Sequence, residues 1–324
     1  MTPALVQQGA QPTDDVARPA NEHLPVKRAM IVQRDLNDKP VPPDRRGSSA
    51  STAQAVARTE AALRAHGVEP VLLGEPTQPG EIDFVIVLGG DGTILRACEE
   101  AREHDVPLLG VNTGRVGFLA EADPEAVEKV VADIVAGRYQ VDKRMTLDIE
   151  VENPGGVITR DWALNEAALE KCDRARMIEL AIGVDGQAVS SFGCDGLVMS
   201  TPTGSTAYAF SGGGPVIWPE VEALLLVPLA AHALFTRPLV LGPDNCLEVV
   251  IQYTGFGGAE IWCDGRRSQL VGAGSRIRVT RSARPVRLAR LNDAPFSTRL
   301  VRKFSLPVEG WRAAASRGRG RSPR

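Results

Sequence analysis

Ile82-Asp83-Phe84-Val85-Ile86-Val87-Leu88-Gly89-Gly90-Asp91-Gly92-Thr93 decides the fold of the first half of the chain. Its apolar run reads as a buried strand that enters three glycines directly, and Ile94 to about His104 then reads as a helix. Upstream, Ala29 to Val32 reads as a strand, Lys39 to Gly47 as a Pro-rich loop, Thr52 to His66 as a helix ended by Gly67, and Val71 to Leu73 as a strand. Downstream, Val106 to Val111 reads as a strand and Pro124 to Ala136 as a helix capped by Gly137. Short apolar runs alternating with helix-like stretches are the signature of a parallel sheet covered by helices.

Near Arg144 the rhythm changes. Met145, Leu147, Ile149 and Val151 alternate with polar residues at period two, and Asp-Gly pairs at 185–186 and 264–265 follow strand-like runs, as hairpin turns do. Arg276 to Thr280 and Val286 to Leu291 alternate in the same way. Val221 to Phe235 contains Pro228 and reads as a short helix or irregular chain. The sequence therefore predicts an α/β N-terminal domain with a Rossmann-like parallel sheet over 27–143 and a mainly antiparallel all-β domain over 144–294. A mildly amphipathic segment at 295–312 is expected to return onto the first domain, and residues 1–26 and the basic tail 313–324 are expected not to pack.

With 324 residues, of which 43% are hydrophobic and 24% charged, the chain can bury one large core or two moderate ones. A formal net charge of -3 argues against nucleic acid or an anionic membrane as main partner, because either favours a basic excess. Five cysteines without metal-ligand spacing read as reduced residues. No secretory start and no membrane-length apolar run is present, so the expected location is the cytoplasm.

A strand, a glycine turn and a helix start present outward-facing backbone N–H groups that bind phosphate oxygens. Gly89, Gly90 and Gly92 let a ligand approach the main chain, and Thr93 can cap the helix or bond a phosphate. Asp91 repels phosphate unless it has a task, and general base is the task its chemistry suits. The same residues would also serve as a plain tight turn with Asp91 as helix cap. There is no G-x-x-x-x-G-K-[ST] and no G-x-G-x-x-G.

Gly110 to Leu119 is a second glycine-rich turn, which can face the same crevice. Within it Phe118 is equally readable as a base-stacking or a core ring. Asn165-Glu166 pairs an amide with a carboxylate in an apolar stretch, a combination that bonds sugar hydroxyls or simply forms a solvated turn. Asp195-Gly196 leads into Thr201-Pro202-Thr203-Gly204-Ser205-Thr206-Ala207-Tyr208, where crowded hydroxyls and a flat ring suit a polar, planar ligand.

In this order the segments resemble the NAD kinase family, and the resemblance runs from roughly Arg28 to Trp311. It implies a kinase that phosphorylates the 2′-hydroxyl of the adenosine ribose of NAD, with Asp91 activating that hydroxyl. It further implies Gly89, Gly90, Gly92, Thr93 and Arg96 on the nucleotide side. Asn165, Glu166, Thr203, Thr206, Ala207 and Tyr208 would line the NAD site, with Phe118 beside the adenine. Asp195 and Ala230 would come from a neighbouring subunit of a homo-oligomer, a dimer or tetramer. ATP is the implied donor, with inorganic polyphosphate a further donor by similarity to actinobacterial members, and a divalent ion, Mg²⁺, would ride on the donor phosphates rather than on protein ligands. Lipid and sugar kinases share the Gly-Gly-Asp-Gly turn but lack the Thr201 to Tyr208 segment. A non-enzymatic NAD sensor would gain nothing from a negative charge beside phosphates.

Overall fold

The computed structural model describes residues 25–34, 48–112, 117–122, 124–234, 236–255, 257–292 and 294–308. The Pro-rich loop, residues 113–116 of the second glycine turn and most of both predicted tails lie outside the described residues.

Strands β1 (Arg28–Gln33), β2 (Glu69–Leu72), β3 (Phe84–Leu88) and β4 (Leu108–Val111) are mutually parallel in the order β2-β1-β3-β4. Helices α1 (Ser48–Ala65) and α3 (Val127–Val135) cover one face and α2 (Asp91–His104) the other. Alternation along β3 accounts for this: Phe84, Ile86 and Leu88 join the α1/α3 cluster, while Val85 and Val87 join the α2 cluster. A strand covered on both faces can be apolar throughout, which is why its sequence shows no period-two pattern. Gly67 and Gly137 end their helices at positive φ of 73° and 67°, as their positions suggested.

Twelve further strands form two six-stranded antiparallel sheets. One runs β10 (Gln187–Cys194), β9 (Ile178–Val184), β14 (Leu247–Tyr253), β17 (Arg276–Arg281), β6 (Leu147–Glu152), β7 (Ile158–Ala163). The other runs β13 (Leu239–Leu241), β12 (Leu224–Leu229), β11 (Gly196–Ser200), β8 (Glu166–Lys171), β15 (Ala259–Cys263), β16 (Arg267–Val271). Their inner faces interdigitate in one core that includes Ile149, Leu169, Leu180, Met199, Val249 and Ile261. The α/β half and the antiparallel half thus match the predicted fold class. Asp185-Gly186 and Asp264-Gly265 turn with positive φ at both residues, the type I′ requirement.

Two expectations are corrected. Val286–Arg290 forms β18, which leaves the antiparallel region and inserts between β4 and β5 (Gln140–Arg144), parallel to β4 and antiparallel to β5. The residues that complete the first sheet therefore come from inside the span assigned to the second domain, because an alternating run fits either sheet. The described residues of the Val221 to Phe235 segment are not helical: β12 carries Pro228 opposite Leu197. The partner β13 reaches only Leu224 to Leu226, so beyond that point β12 has an open flank where a missing N–H breaks no ladder.

After β18 the chain forms α5 (Phe296–Phe304). Arg299 bonds the carbonyls of Phe118 and Ala120, and Phe296 stacks on Phe118. No described helix is long and apolar enough to cross a membrane. Leu164, at the end of β7, is fully buried not in the antiparallel core but in the α2 cluster, beside Ile94 and Leu119. Leu164→Ala is expected to lower the unfolding free energy by about 2–5 kcal/mol, measured as a lower urea midpoint at unchanged m value.

Candidate active site

β3 delivers Gly89 and Gly90 to the start of α2, whose first residue is Asp91. The turn is tight for a stated reason: a Cβ on Gly89 would lie 2.4 Å from Thr93 Oγ1. Thr93 thus packs back on the turn, and its amide donates to the Gly90 carbonyl at 2.9 Å. Arg96 lies one turn further along α2, half-buried.

The Asp91 carboxylate is oriented from across the crevice. Phe118 N donates to Oδ2 at 3.1 Å and Leu119 N to Oδ1 at 3.2 Å. Gly117 makes this approach possible, since a Cβ there would stand 2.2 Å from Oδ1. The second glycine-rich turn therefore serves to lay main-chain donors on the acid, a function its composition did not announce. Phe118 is 9% exposed, and its ring lies 5.8 Å from those of both Phe296 and Phe304, so it packs against α5.

Asn165 and Glu166 open β8 and are fixed by a residue the sequence reading took only as a hairpin turn. The buried Asp264 carboxylate accepts the amides of Leu164 (2.9 Å), Asn165 (2.7 Å) and Glu166 (3.3 Å). Arg267 stands 3.7 Å from Asp264 and 2.6 Å from Glu99 of α2. A line of polar contacts thus runs from the Asp91 helix to the Asn165-Glu166 turn. Nothing in the spacing of residues 99, 165, 264 and 267 signals that they meet.

The hydroxyl-rich segment packs on the same turn. Thr201 N and Ser200 Oγ donate to the Asn165 carbonyl at 2.9 and 3.0 Å, and Thr201 Oγ1 donates to the Leu164 carbonyl at 2.6 Å. A Cβ on Gly204 would lie 2.1 Å from the Asn165 oxygen, so only glycine allows this contact. Thr203 accepts from Arg144 at 3.5 Å, Thr206 bonds the Thr203 carbonyl, and Ala207 closes a 3-10 turn with Gly204. Tyr208 begins α4 (Tyr208–Ser211) with its ring partly exposed; burial, a hydrogen bond to Glu170 and the nearby Glu166 push its phenol up to about 12. Several hydroxyls that composition offered to a ligand are thus spent on holding the turn.

Asp195 and Ala230 lie elsewhere. Asp195 pairs with Lys171 at 2.5 Å, its amide donates to the Leu229 carbonyl, and Ala230 follows at φ +47°. They neighbour each other at the far end of β11, about 15 Å of strand from Ser200.

Both halves of the chain match family models, residues 22–139 that of the ATP-NAD kinase N-terminal domain and residues 164–291 that of the ATP-NAD kinase C-terminal domain. The chain belongs to the NAD kinase family. NAD kinase 2 of Streptomyces coelicolor is 55% identical over 250 residues, 76% of this chain and 82% of that protein. The NAD kinase of Leifsonia xyli is 56% identical over 247 residues, 76% and 81% of the two chains. Among solved structures, an NAD kinase from Archaeoglobus fulgidus in complex with ATP superimposes with a TM-score of 0.66 at 30% identity, covering 86% of this chain and all of that one. Yeast NADH kinase complexed with NADH gives 0.75 at 21% identity over 88% and 89%, a likeness of fold. The activity of the chain is that of an NAD kinase.

Within this candidate site the carboxyl of Glu166 is strongly disturbed. Burial first, then the charge of Asp264, raise its pKa from the ordinary 4.5 to about 8, against the lowering hydrogen bond from the Tyr208 amide. Asp264 is itself raised by burial, opposed by the three amides it accepts. A carboxyl raised on folding stabilises the fold fully below its unfolded pKa, and that contribution is lost as pH rises toward the folded value. Between about pH 5 and about pH 8 the wild type should therefore lose stability relative to Glu166→Gln, by an amount of the order of a few kcal/mol. Thermal midpoints of both proteins across that range check it, and a wild-type midpoint that does not fall relative to that of Glu166→Gln as pH rises would refute it.

Proposed function

We propose that Asp91 accepts the proton of the 2′-hydroxyl on the adenosine ribose of NAD while that oxygen attacks the terminal phosphorus of ATP, giving NADP and ADP. The observation that carries this reading is the Asp91 carboxylate, held between two glycine-rich turns by two amides at 3.1 and 3.2 Å. One donor on each oxygen leaves further lone pairs for a substrate hydroxyl. Gly89, Gly90, Gly92 and Thr93 line the start of α2, where main-chain donors and the helix dipole favour donor phosphates, with Arg96 on the next turn.

Glu166 supplies the second handle. Its Oε2 is buried with no hydrogen-bond partner, and a ribose hydroxyl of NAD would satisfy it. Asn165, Thr203, Thr206, Ala207 and Tyr208 form the adjoining wall for NAD. Asp195 and Ala230, at the far end of β11, act in the site of a neighbouring copy within a homo-oligomer. Inorganic polyphosphate offers the same terminal phosphoryl group as ATP, and the reaction runs in the cytoplasm. One carboxylate among main-chain amides suits an ion held mainly by the donor's phosphates, as Mg²⁺ is, and such an ion would neutralise those phosphates.

Asp91→Asn is expected to keep NAD affinity and lose at least about a hundredfold in kcat, because proton acceptance belongs to the transition state. Formation of NADP from NAD and ATP is the assay, and undiminished turnover would remove Asp91 from this role. Tyr208→Ala should raise the dissociation constant for NAD in calorimetry without donor; an unchanged constant would move the pocket elsewhere.

A further inference from the structure

The loop that orients Asp91 is itself held from outside the two glycine-rich turns. Arg299, half-buried on α5, donates from Nη1 to the Phe118 carbonyl at 3.1 Å and to the Ala120 carbonyl at 3.4 Å. Its other nitrogen pairs with Glu121, whose side chain is 1% exposed and is shared with Arg290 of β18. With two guanidinium groups on one buried carboxylate, the positive charge of Arg299 is not consumed by Glu121 alone.

The Phe118 carbonyl and the Leu119 N–H belong to one peptide group, and the described chain contains no cis peptide bond. In a trans peptide those two dipoles point in opposite directions, so a cation on the oxygen and an anion on the hydrogen lie at the two ends of one polarisable unit. That is the arrangement here: Arg299 on the oxygen of Phe118, and Asp91 Oδ1 on the amide of Leu119 at 3.2 Å. Hydrogen bonds in such a chain strengthen one another, and those to charged groups are the stronger ones.

We propose that Arg299 is a positioning residue for phosphoryl transfer, acting through the 118–119 peptide to fix and strengthen the donor that aims the Asp91 carboxylate at its hydroxyl. α5 can deliver it accurately because the helix is anchored on both walls of the site. On the first wall its Phe296 and Phe304 flank Phe118; on the second, Phe304 meets Phe210 at 4.5 Å and Phe296 meets Trp218 at 5.2 Å. A guanidinium reaching two carbonyls and a carboxylate at once fits this post better than an ammonium, whose donors form no planar fork.

This inference rests on the reading of Asp91 as base, so Asp91→Asn is measured beside it. Arg299→Ala, in which Arg290 still neutralises Glu121, should fold normally and bind NAD with an unchanged dissociation constant while kcat falls about tenfold or more. Arg299→Lys should recover part of the loss, and guanidinium ion, added far below denaturing concentrations, should raise kcat of Arg299→Ala but not of Asp91→Asn. Undiminished kcat in Arg299→Ala overturns the proposal, as does a loss that neither lysine nor guanidinium relieves or that comes with equally weakened NAD binding. Normal turnover in Asp91→Asn would instead strike the base assignment itself, whereas a dead Asp91→Asn beside a fully active Arg299→Ala would strike only the role of Arg299.

Discussion

A buried carboxylate holds the two halves of the site in register. Asp264 sits in the interior where a lone charge would be costly, and it is tolerated because three consecutive amides and Arg267 surround it. Those amides belong to Leu164, Asn165 and Glu166, so the position of the Asn165-Glu166 turn is set by the Asp264-Gly265 hairpin rather than by its own sequence. Arg267 then ties the same point to Glu99 on α2, the helix that begins with Asp91. Leu164 completes the join from the apolar side by packing under α2. Asp91 and the Asn165-Glu166 turn are therefore referenced to one helix, and a shift of either half would strand a buried charge.

The chain path reinforces this coupling. β18 returns to the first sheet after the antiparallel sheets are complete, and α5 follows it onto the Phe118 loop. The α/β layer is closed only when the last strand arrives, so the first half does not finish its sheet without chain from the second. Arg102 of α2, whose guanidinium lies 4.5 Å from the Trp162 ring centre, adds a further tie across the same boundary. The boundary between the two predicted domains is thus an interface with a shared sheet, ion pairs and rings.

What could be read from the sequence was what depends on neighbours in the chain. The strand-turn-helix unit around Asp91, the helix ends at Gly67 and Gly137 and the Asp-Gly hairpins follow from local sterics, and each is where the residues said. β18 and the strand carrying Pro228 were misread because their character depends on partners: β18 alternates well enough to join either sheet, and Pro228 is harmless only because β13 stops short. In the site, Asp91, Asn165, Glu166 and the Thr201 to Tyr208 segment stood out as chemically odd in their settings. Asp264 and Arg299 did not, since each acts through main-chain groups about a hundred residues or more away. The ring of Phe118 was undecidable, because stacking on a ligand and stacking on α5 make the same demand on a side chain.

Glu166 shows why the site is not built for stability. Its carboxyl is buried next to Asp264, is held largely protonated at neutral pH, and has an oxygen without a partner. An apolar residue at the start of β8 would avoid all three costs, since the strand needs only a side chain that fills the space. A carboxyl kept neutral by its surroundings can both donate and accept, which is what pairing with a sugar hydroxyl requires, and an ionised one in the same position could only accept. If Glu166 binds NAD as proposed above, a hydroxyl at Oε2 would relieve this unfavourable burial, and part of the free energy of NAD binding would be stored in the fold before NAD arrives.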